Sequence, residues 1–178
     1  MSFESALKKT LHMEGGLSLD PDDSGNWTGG AKGSGELKGT KYGISAAQYP
    51  SEDIKNLTPN RAASLYKRDY WDSINLDNIL NETLQEKLFD TAVNQGIQTA
   101  VILLQNAVNA LQPDTPISVD GVVGPVTIQA ANQYTNGTTL HSMAFWLAFR
   151  SFRFMRYYET YMKNPRLRKY RFSWMSRV

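Results

Sequence analysis

LHMEGGLSLDPDDSG, residues 11–25, decides how this chain is read. Glu14 stands directly before two glycines, and with Asp20, Asp22 and Asp23 it puts four acids within ten positions. The stretch is either an ordinary helix end followed by a solvated loop, or a carboxylate in a cleft facing partners. Residues 2–14 are expected to be helical: Ser2 can cap, Glu4 sits in the first turn, and Phe3, Leu7 and Leu11 recur at helical spacing. At ~100° per residue, setting Phe3 at zero puts Leu7 at ~40°, Leu11 at ~80° and Glu14 at ~20°. Glu14 therefore falls inside the apolar arc. If it is desolvated there, burial disfavours its charged form and suits it to hold a proton as a general acid. If the last turn frays, it lies in water. Periodicity alone leaves both readings open.

The chain has 178 residues, room for one domain or one with a small companion, and its 41% hydrophobic content supports a packed core. Cysteine is absent, which excludes disulfides, thiolate metal sites and cysteine nucleophiles. Two histidines, His12 and His141, are too few for a histidine-rich zinc site, and no metal or cofactor is expected. No apolar run reaches the ~18 residues of a membrane span, and MSFESALKK lacks the layout of a secretory signal. The net charge of +2 hides an asymmetry: Arg150 to Val178 holds nine Lys or Arg against the single acid Glu159, while the rest is net acidic.

Downstream the pattern is mainly helical. Residues 17–40 form a long Gly-, Asp- and Ser-rich loop, with a small hairpin expected around NWTGG. A helix starts at Thr58 and Pro59, with Ala62, Leu65, Tyr66 and Tyr70 as its inner stripe. Another starts near Asn81, carries Leu84, Leu88 and Ala92, and is expected to break in VNQG (93–96). Residues 98–111 resume an apolar stripe. VDGVVGP reads as a turn region, Pro125 opens a short helix to about Tyr134, and an aromatic helix follows from about Thr139 to Tyr161.

Asp20, Asp22 and Asp23 could place a second carboxylate opposite Glu14. Glycosidic cleavage usually pairs an acid with a base or nucleophile ~5 to 9 Å away. An Asp, Gly and Ser run is more often a plain turn-rich loop. DPDDSGNWTGG lacks the alternating ligands and closing glutamate of a calcium loop. In GELKGTKYGIS (35–45), Thr40 and Tyr42 bring hydroxyls, and Gly39 and Gly43 let backbone approach a ligand.

EGG, DPDDSG and TKYGIS, in this order and spacing, resemble the N-acetylmuramidases of glycoside hydrolase family 108, lysozyme-like enzymes of phages and bacteria. Glu14, Gly15, Gly16, Asp20, Pro21, Asp23, Gly25, Thr40, Gly43 and Ile44 match the family pattern. Leu17 replaces its tyrosine, Asn26 its second glycine and Ser45 its threonine, and residues 27–39 look like an insertion. FDTAVNQG, SVDGVVGPVT and the closing YYETYMKNPRLRKYRFSWMSRV resemble the C-terminal peptidoglycan-binding region that accompanies this catalytic part. Ser173 stands there where a glycine is usual.

The resemblance implies a mainly α, lysozyme-like catalytic region over 1–92 and a helical peptidoglycan-binding region over 93–178 packed against it. It implies that Glu14 is the catalytic acid and that Thr40 lines the site; of the aspartates Asp23, the second acid of the matched motif, is favoured ahead of Asp20, as a base, a positioning group or a loop staple. Tyr42, Gly43, Asn94, Tyr70 and Trp71 are candidate sugar contacts, with core packing the stronger reading for Tyr70 and Trp71. The expected enzyme is a monomeric endolysin that cleaves the β-1,4 bond between N-acetylmuramic acid and N-acetylglucosamine. It would be held in the host cytoplasm until a membrane pore releases it to the wall. The alternative is an inactive peptidoglycan-binding or export-helper protein, suggested by the departures at Leu17, Asn26 and Ser45. The basic C-terminal segment reads as a solvated face, or as a contact for anionic envelope surfaces. Nucleic acid ranks last, because no recognition motif accompanies the charge.

Overall fold

The computed structural model describes residues 3–11 and 16–178. Glu14, His12 and Gly15 lie outside the described residues. The fold is mainly helical with a small antiparallel hairpin, as expected, and the chain divides into two compact units, Met1–Ser73 and Ile74–Val178.

In the first unit, helix α1 (Phe3–Leu11) buries Phe3, Ala6, Leu7 and Thr10, the one-sided spacing of an amphipathic helix. Phe3 meets Trp71 edge to face at 5.5 Å, and Trp71 is buried, in keeping with the packing role read for it. Helix α2 (Pro59–Tyr66) starts as the sequence indicates. Thr58 Oγ1 accepts from Arg61 N at 3.2 Å, and Pro59 takes the position where no N–H is needed. Its stripe holds through Ala62, Leu65 and Tyr66, all buried. Tyr70 departs from it and is only half-buried. The helix widens into a π turn over Lys67–Trp71, and the wider turn changes the angular phase of everything after Tyr66.

Between these helices, strands β1 (Thr40–Lys41) and β2 (Ile44–Ser45) pair antiparallel around Tyr42 and Gly43. Both turn residues have positive φ, 52° and 74°, as a two-residue type I′ hairpin requires. Glycine accepts this freely. A tyrosine at positive φ is uncommon and has to be held by its surroundings. Here the Tyr42 carbonyl accepts from the Tyr66 hydroxyl at 3.3 Å.

In the second unit, α3 (Glu82–Gln95) begins at Asn81, whose Oδ1 accepts from Leu84 N at 3.0 Å. The break expected within residues 93–96 comes only at Gly96, whose φ of 89° ends α3 and leads directly into α4 (Ile97–Asn109). Helices α5 (Pro125–Thr135) and α6 (Thr139–Lys163) follow, then a 3-10 turn over Pro165–Tyr170 and a short α7 (Arg171–Met175). Leu84, Leu88, Ala92, Val101, Leu104, Val108, Phe145 and Phe149 are all buried in this unit.

A charge lies in that interior. Arg153 is fully buried and its Nη2 donates to Asp90 Oδ2 at 3.1 Å. Asp90 Oδ1 accepts from Arg177 Nη1 at 2.6 Å. Burial pushes the Arg153 guanidinium below its usual range, and Asp90 opposes that shift. Lys87 Nζ donates to the Arg177 carbonyl at 3.0 Å, and Arg150 Nε to that of Val178 at 3.1 Å. Two of the nine basic residues of the tail therefore neutralise a buried acid and pin the C-terminus. Breaking such a pair on one side leaves an uncompensated buried charge. Asp90→Ala is expected to destabilise the protein by about 3–5 kcal/mol, read by urea unfolding of the full chain.

Candidate active site

The long loop of the first unit is organised around one side chain. Asn26 is completely buried, although its neighbours in sequence are mostly exposed. Its N–H donates to the Asp23 carbonyl at 3.1 Å, and its carbonyl accepts from Lys38 N at 3.1 Å and Gly39 N at 3.0 Å. Its Nδ2 donates to the Asp20 carbonyl at 2.9 Å, and its Oδ1 accepts from Thr40 Oγ1 at 2.7 Å. One buried residue thus bonds to Asp20, Asp23 and Thr40, three of the residues singled out from sequence.

The chemistry fixes the direction of these bonds. The Asp20 carbonyl can only accept, so the amide nitrogen must face it, and the amide oxygen must face Thr40. The Thr40 hydroxyl is then committed as a donor to Asn26. What it has left to offer is acceptor capacity, suited to a water or a sugar hydroxyl. Its backbone is held as firmly, because Thr40 and Ser18 exchange both main-chain bonds, at 2.8 and 3.0 Å. Gly39 makes that approach feasible: its φ is 88°, and a Cβ there would meet the Ser18 carbonyl oxygen at 2.3 Å.

The apparent insertion, residues 27–39, leaves this geometry intact. Trp27 bridges Leu37, Thr28 N donates to the Glu36 carbonyl at 3.0 Å and Gly29 N to that of Ser34 at 3.0 Å. The excursion satisfies its own backbone and returns the chain to Lys38 and Gly39, where the Asn26 carbonyl clamps its base. The hairpin expected around NWTGG is this excursion.

The aspartates carry structural duties as well. Asp20 Oδ1 accepts from Asp22 N and Asp23 Oδ1 from Gly25 N, both at 2.9 Å, each closing an Asx turn. Asp23 also caps the 3-10 turn Ser24–Asn26, and Asp22 pairs with Lys32. All three carboxylates are exposed. Among the described residues no group of three or more His, Asp or Glu is arranged to hold a metal ion.

A tyrosine cluster completes the unit. Tyr70 lies 5.7 Å from the Tyr66 ring, and its hydroxyl accepts from Gln48 Nε2. Tyr49 donates to Asp69 Oδ2 at 2.9 Å. The Asp69 carboxyl is held below the usual range, first by its hydrogen bond to Arg68 and then by Tyr49. Burial holds the Tyr49 and Tyr66 phenols well above theirs, so both remain protonated donors. Asn94 belongs to the second unit. It lies in the last turn of α3, with Nδ2 donating to the Asp90 carbonyl at 2.8 Å and to Asp90 Oδ1 at 3.1 Å.

The glycosyl hydrolase 108 family model matches residues 7–96, just over half of the chain. The chain belongs to the glycosyl hydrolase 108 family. Every residue proposed for the site, from Glu14 to Asn94, lies inside that match. The solved structure of Brucella abortus SagA is similar with a TM-score of 0.60 at 20% identity, over 98% of this chain and 94% of that one. At this identity the likeness speaks for the fold, which is the mainly helical, lysozyme-like one. No curated protein matches the chain. As a family member the chain is a glycoside hydrolase, and the Asn26 arrangement describes how this member builds its loop without the glycine of the family pattern.

Asn26 was legible only as a departure from that pattern. The signal that could have flagged it is a carboxamide, able to donate and accept at once, in a loop with few other ways to satisfy its backbone. Removing it orphans the Asp20 carbonyl and the Thr40 hydroxyl. Asn26→Ala is expected to cost about 2–3 kcal/mol in thermal or urea unfolding. Thr40→Ser, which keeps the donor, should unfold close to wild type.

Proposed function

We propose that this glycoside hydrolase acts on peptidoglycan and cleaves the β-1,4 bond between N-acetylmuramic acid and N-acetylglucosamine, with Glu14 as general acid. The observation that carries the reading is the Asn26 clamp, which leaves the Thr40 hydroxyl with acceptor capacity to offer inside the family-matched region. Ser18, bonded to Thr40, follows Glu14 by four residues, a length of chain that reaches ~14 Å at most.

In the proposed reaction, protonated Glu14 donates to the glycosidic oxygen as the bond to the anomeric carbon breaks and positive charge builds on the sugar ring. The electron pair of that bond leaves with the oxygen, which the proton neutralises. Thr40 accepts a hydrogen bond from a water or a sugar hydroxyl and so holds it in register. A carboxylate or a held water serves the opposite face. Asp23 is the carboxylate favoured for this, and Asp20 is the second choice. Tyr42, Gly43 and Tyr70 are proposed as sugar contacts, Tyr70 through its half-exposed ring.

Residues 1–92 are proposed as the catalytic region and 93–178 as a peptidoglycan-binding region, to which Asn94 would add a carboxamide. A groove of about 630 Å³ in that region supports this, lined among others by Ser118, Asp120, Val122, Val126 and Thr127. Gln105, buried beneath it, fixes its rim: Nε2 donates to Asp120 Oδ1 at 2.8 Å and to the Val122 carbonyl at 3.0 Å, and Oε1 accepts from Gly121 N at 3.0 Å. Hydroxyls and a carboxylate beside valines suit a glycan or peptide stem.

Glu14→Gln keeps the shape of the side chain and removes the proton it donates. Clearing of purified cell walls by this variant is expected to fall at least ~100-fold, with folding preserved by circular dichroism. Near-normal clearing would refute the assignment. Thr40→Val, which cannot accept, is expected to lose roughly ten- to hundredfold in kcat, and Thr40→Ser to recover most of it.

A further inference from the structure

Helix α6 carries two apolar faces, and only one of them is used by the core. Phe145, Phe149, Arg153 and Tyr157 are buried along one side. Leu140, Met143 and Leu147, and after a seven-residue step past Arg150 and Ser151 also Phe154, Tyr158 and Met162, are all exposed, Leu140 at 73% and Leu147 at 70%. At ~100° per residue they fall within an arc of ~100°, nearly opposite the buried set. From Leu140 to Met162 the face spans 23 residues, ~33 Å at helical rise. Single exposed apolar side chains are ordinary, but two apolar clusters aligned on one helix face, with Arg150 and Ser151 between them, mark an interaction surface.

Charge decides what covers it. Beyond the C-terminal end of α6, Arg166, Arg168, Lys169 and Arg171 are exposed, together with Tyr170 and a Phe172 that is 73% exposed. Lys169 Nζ lies over the Tyr170 ring at 4.9 Å and the Arg171 guanidinium over that of Phe172 at 4.3 Å, so cation and aromatic are presented together. A second copy of this chain would bring like charge against like, because seven basic residues from Arg150 to Arg171 remain exposed after Arg153 and Arg177 have paired with Asp90. A soluble polyanion would satisfy the cations and leave the apolar stripe in water. An anionic bilayer surface satisfies both, with basic and aromatic groups at the headgroups and the stripe among the upper acyl chains. The helix would lie in the interface plane, since no helix among the described residues is long and apolar enough to cross a membrane.

We propose that the outer face of α6 and the basic segment after it dock this protein on anionic phospholipid membranes. The test is co-sedimentation of the full chain with vesicles of phosphatidylglycerol and phosphatidylethanolamine, against vesicles of phosphatidylcholine. Binding is expected to the anionic vesicles only, weakened but not abolished by added salt. Leu147→Ser should weaken it about tenfold, and Leu140→Ser, Met143→Ser and Leu147→Ser combined should abolish it. These side chains face solvent, so the circular dichroism of the variants should be unchanged. The proposal is overturned if the wild type does not sediment with anionic vesicles. Triple-variant binding equal to wild type would overturn it as well, by reducing the contact to charge alone. So would a wild-type dimer in analytical ultracentrifugation that the triple variant dissociates, which would give the stripe to a second copy.

Discussion

A loop without regular strands or helices still has to satisfy its buried backbone groups, and the first unit does so through the carboxamide of Asn26. A buried N–H or carbonyl left without a partner costs about as much as a lost hydrogen bond, so each has to be accounted for. An amide is the economical solution, because it donates and accepts from the same small group. Asn26 ties the turn at Asp20 to Asp23 to the strand at Thr40, and its own carbonyl closes the base of the excursion between them. The second unit repeats the device. Gln105 holds Asp120, Gly121 and Val122, while Asn109 takes both main-chain groups of Ile117, at 2.8 and 2.9 Å.

This constraint connects fold to chemistry. A threonine hydroxyl free to rotate can donate or accept, and offers a ligand no definite polarity. Once that hydroxyl donates its hydrogen bond to Asn26 Oδ1, Thr40 presents acceptor capacity alone. The Asx turns of Asp20 and Asp23 hold the loop from the other side, each engaging one carboxylate oxygen. A hydrolase working on an insoluble polymer gains from such preorganisation, since reacting groups held in place need not be gathered in each turnover.

What the sequence made legible follows the physics of each element. Helix starts were readable because a cap is a local event: Thr58, Asn81 and Pro125 all stand where a helix begins. The end of α3 fell within the expected VNQG stretch, at its last residue, because Val93 to Gln95 carry no backbone reason to stop and Gly96 does. Tyr70 left its stripe because a π turn has no signature in hydrophobic period. Asn26 and Arg153 were invisible as buried groups, since burial of a polar side chain depends on partners far away in sequence: Thr40 for the first, Asp90 for the second. The ordered motifs from Glu14 to Ile44 led to the family that the comparison supports, with Asn26 counted as a flaw in them. The loop built by that residue closes its hydrogen bonds with an asparagine where the pattern has a glycine.

The muramidase activity proposed for this loop is tested most directly by the chemistry of the new chain ends. Purified peptidoglycan digested by the protein can be reduced with borohydride, hydrolysed, and its amino sugars identified. The account predicts muramic acid converted to its alcohol, with glucosamine unchanged. Reduced glucosamine in its place, or no new reducing ends, would contradict it.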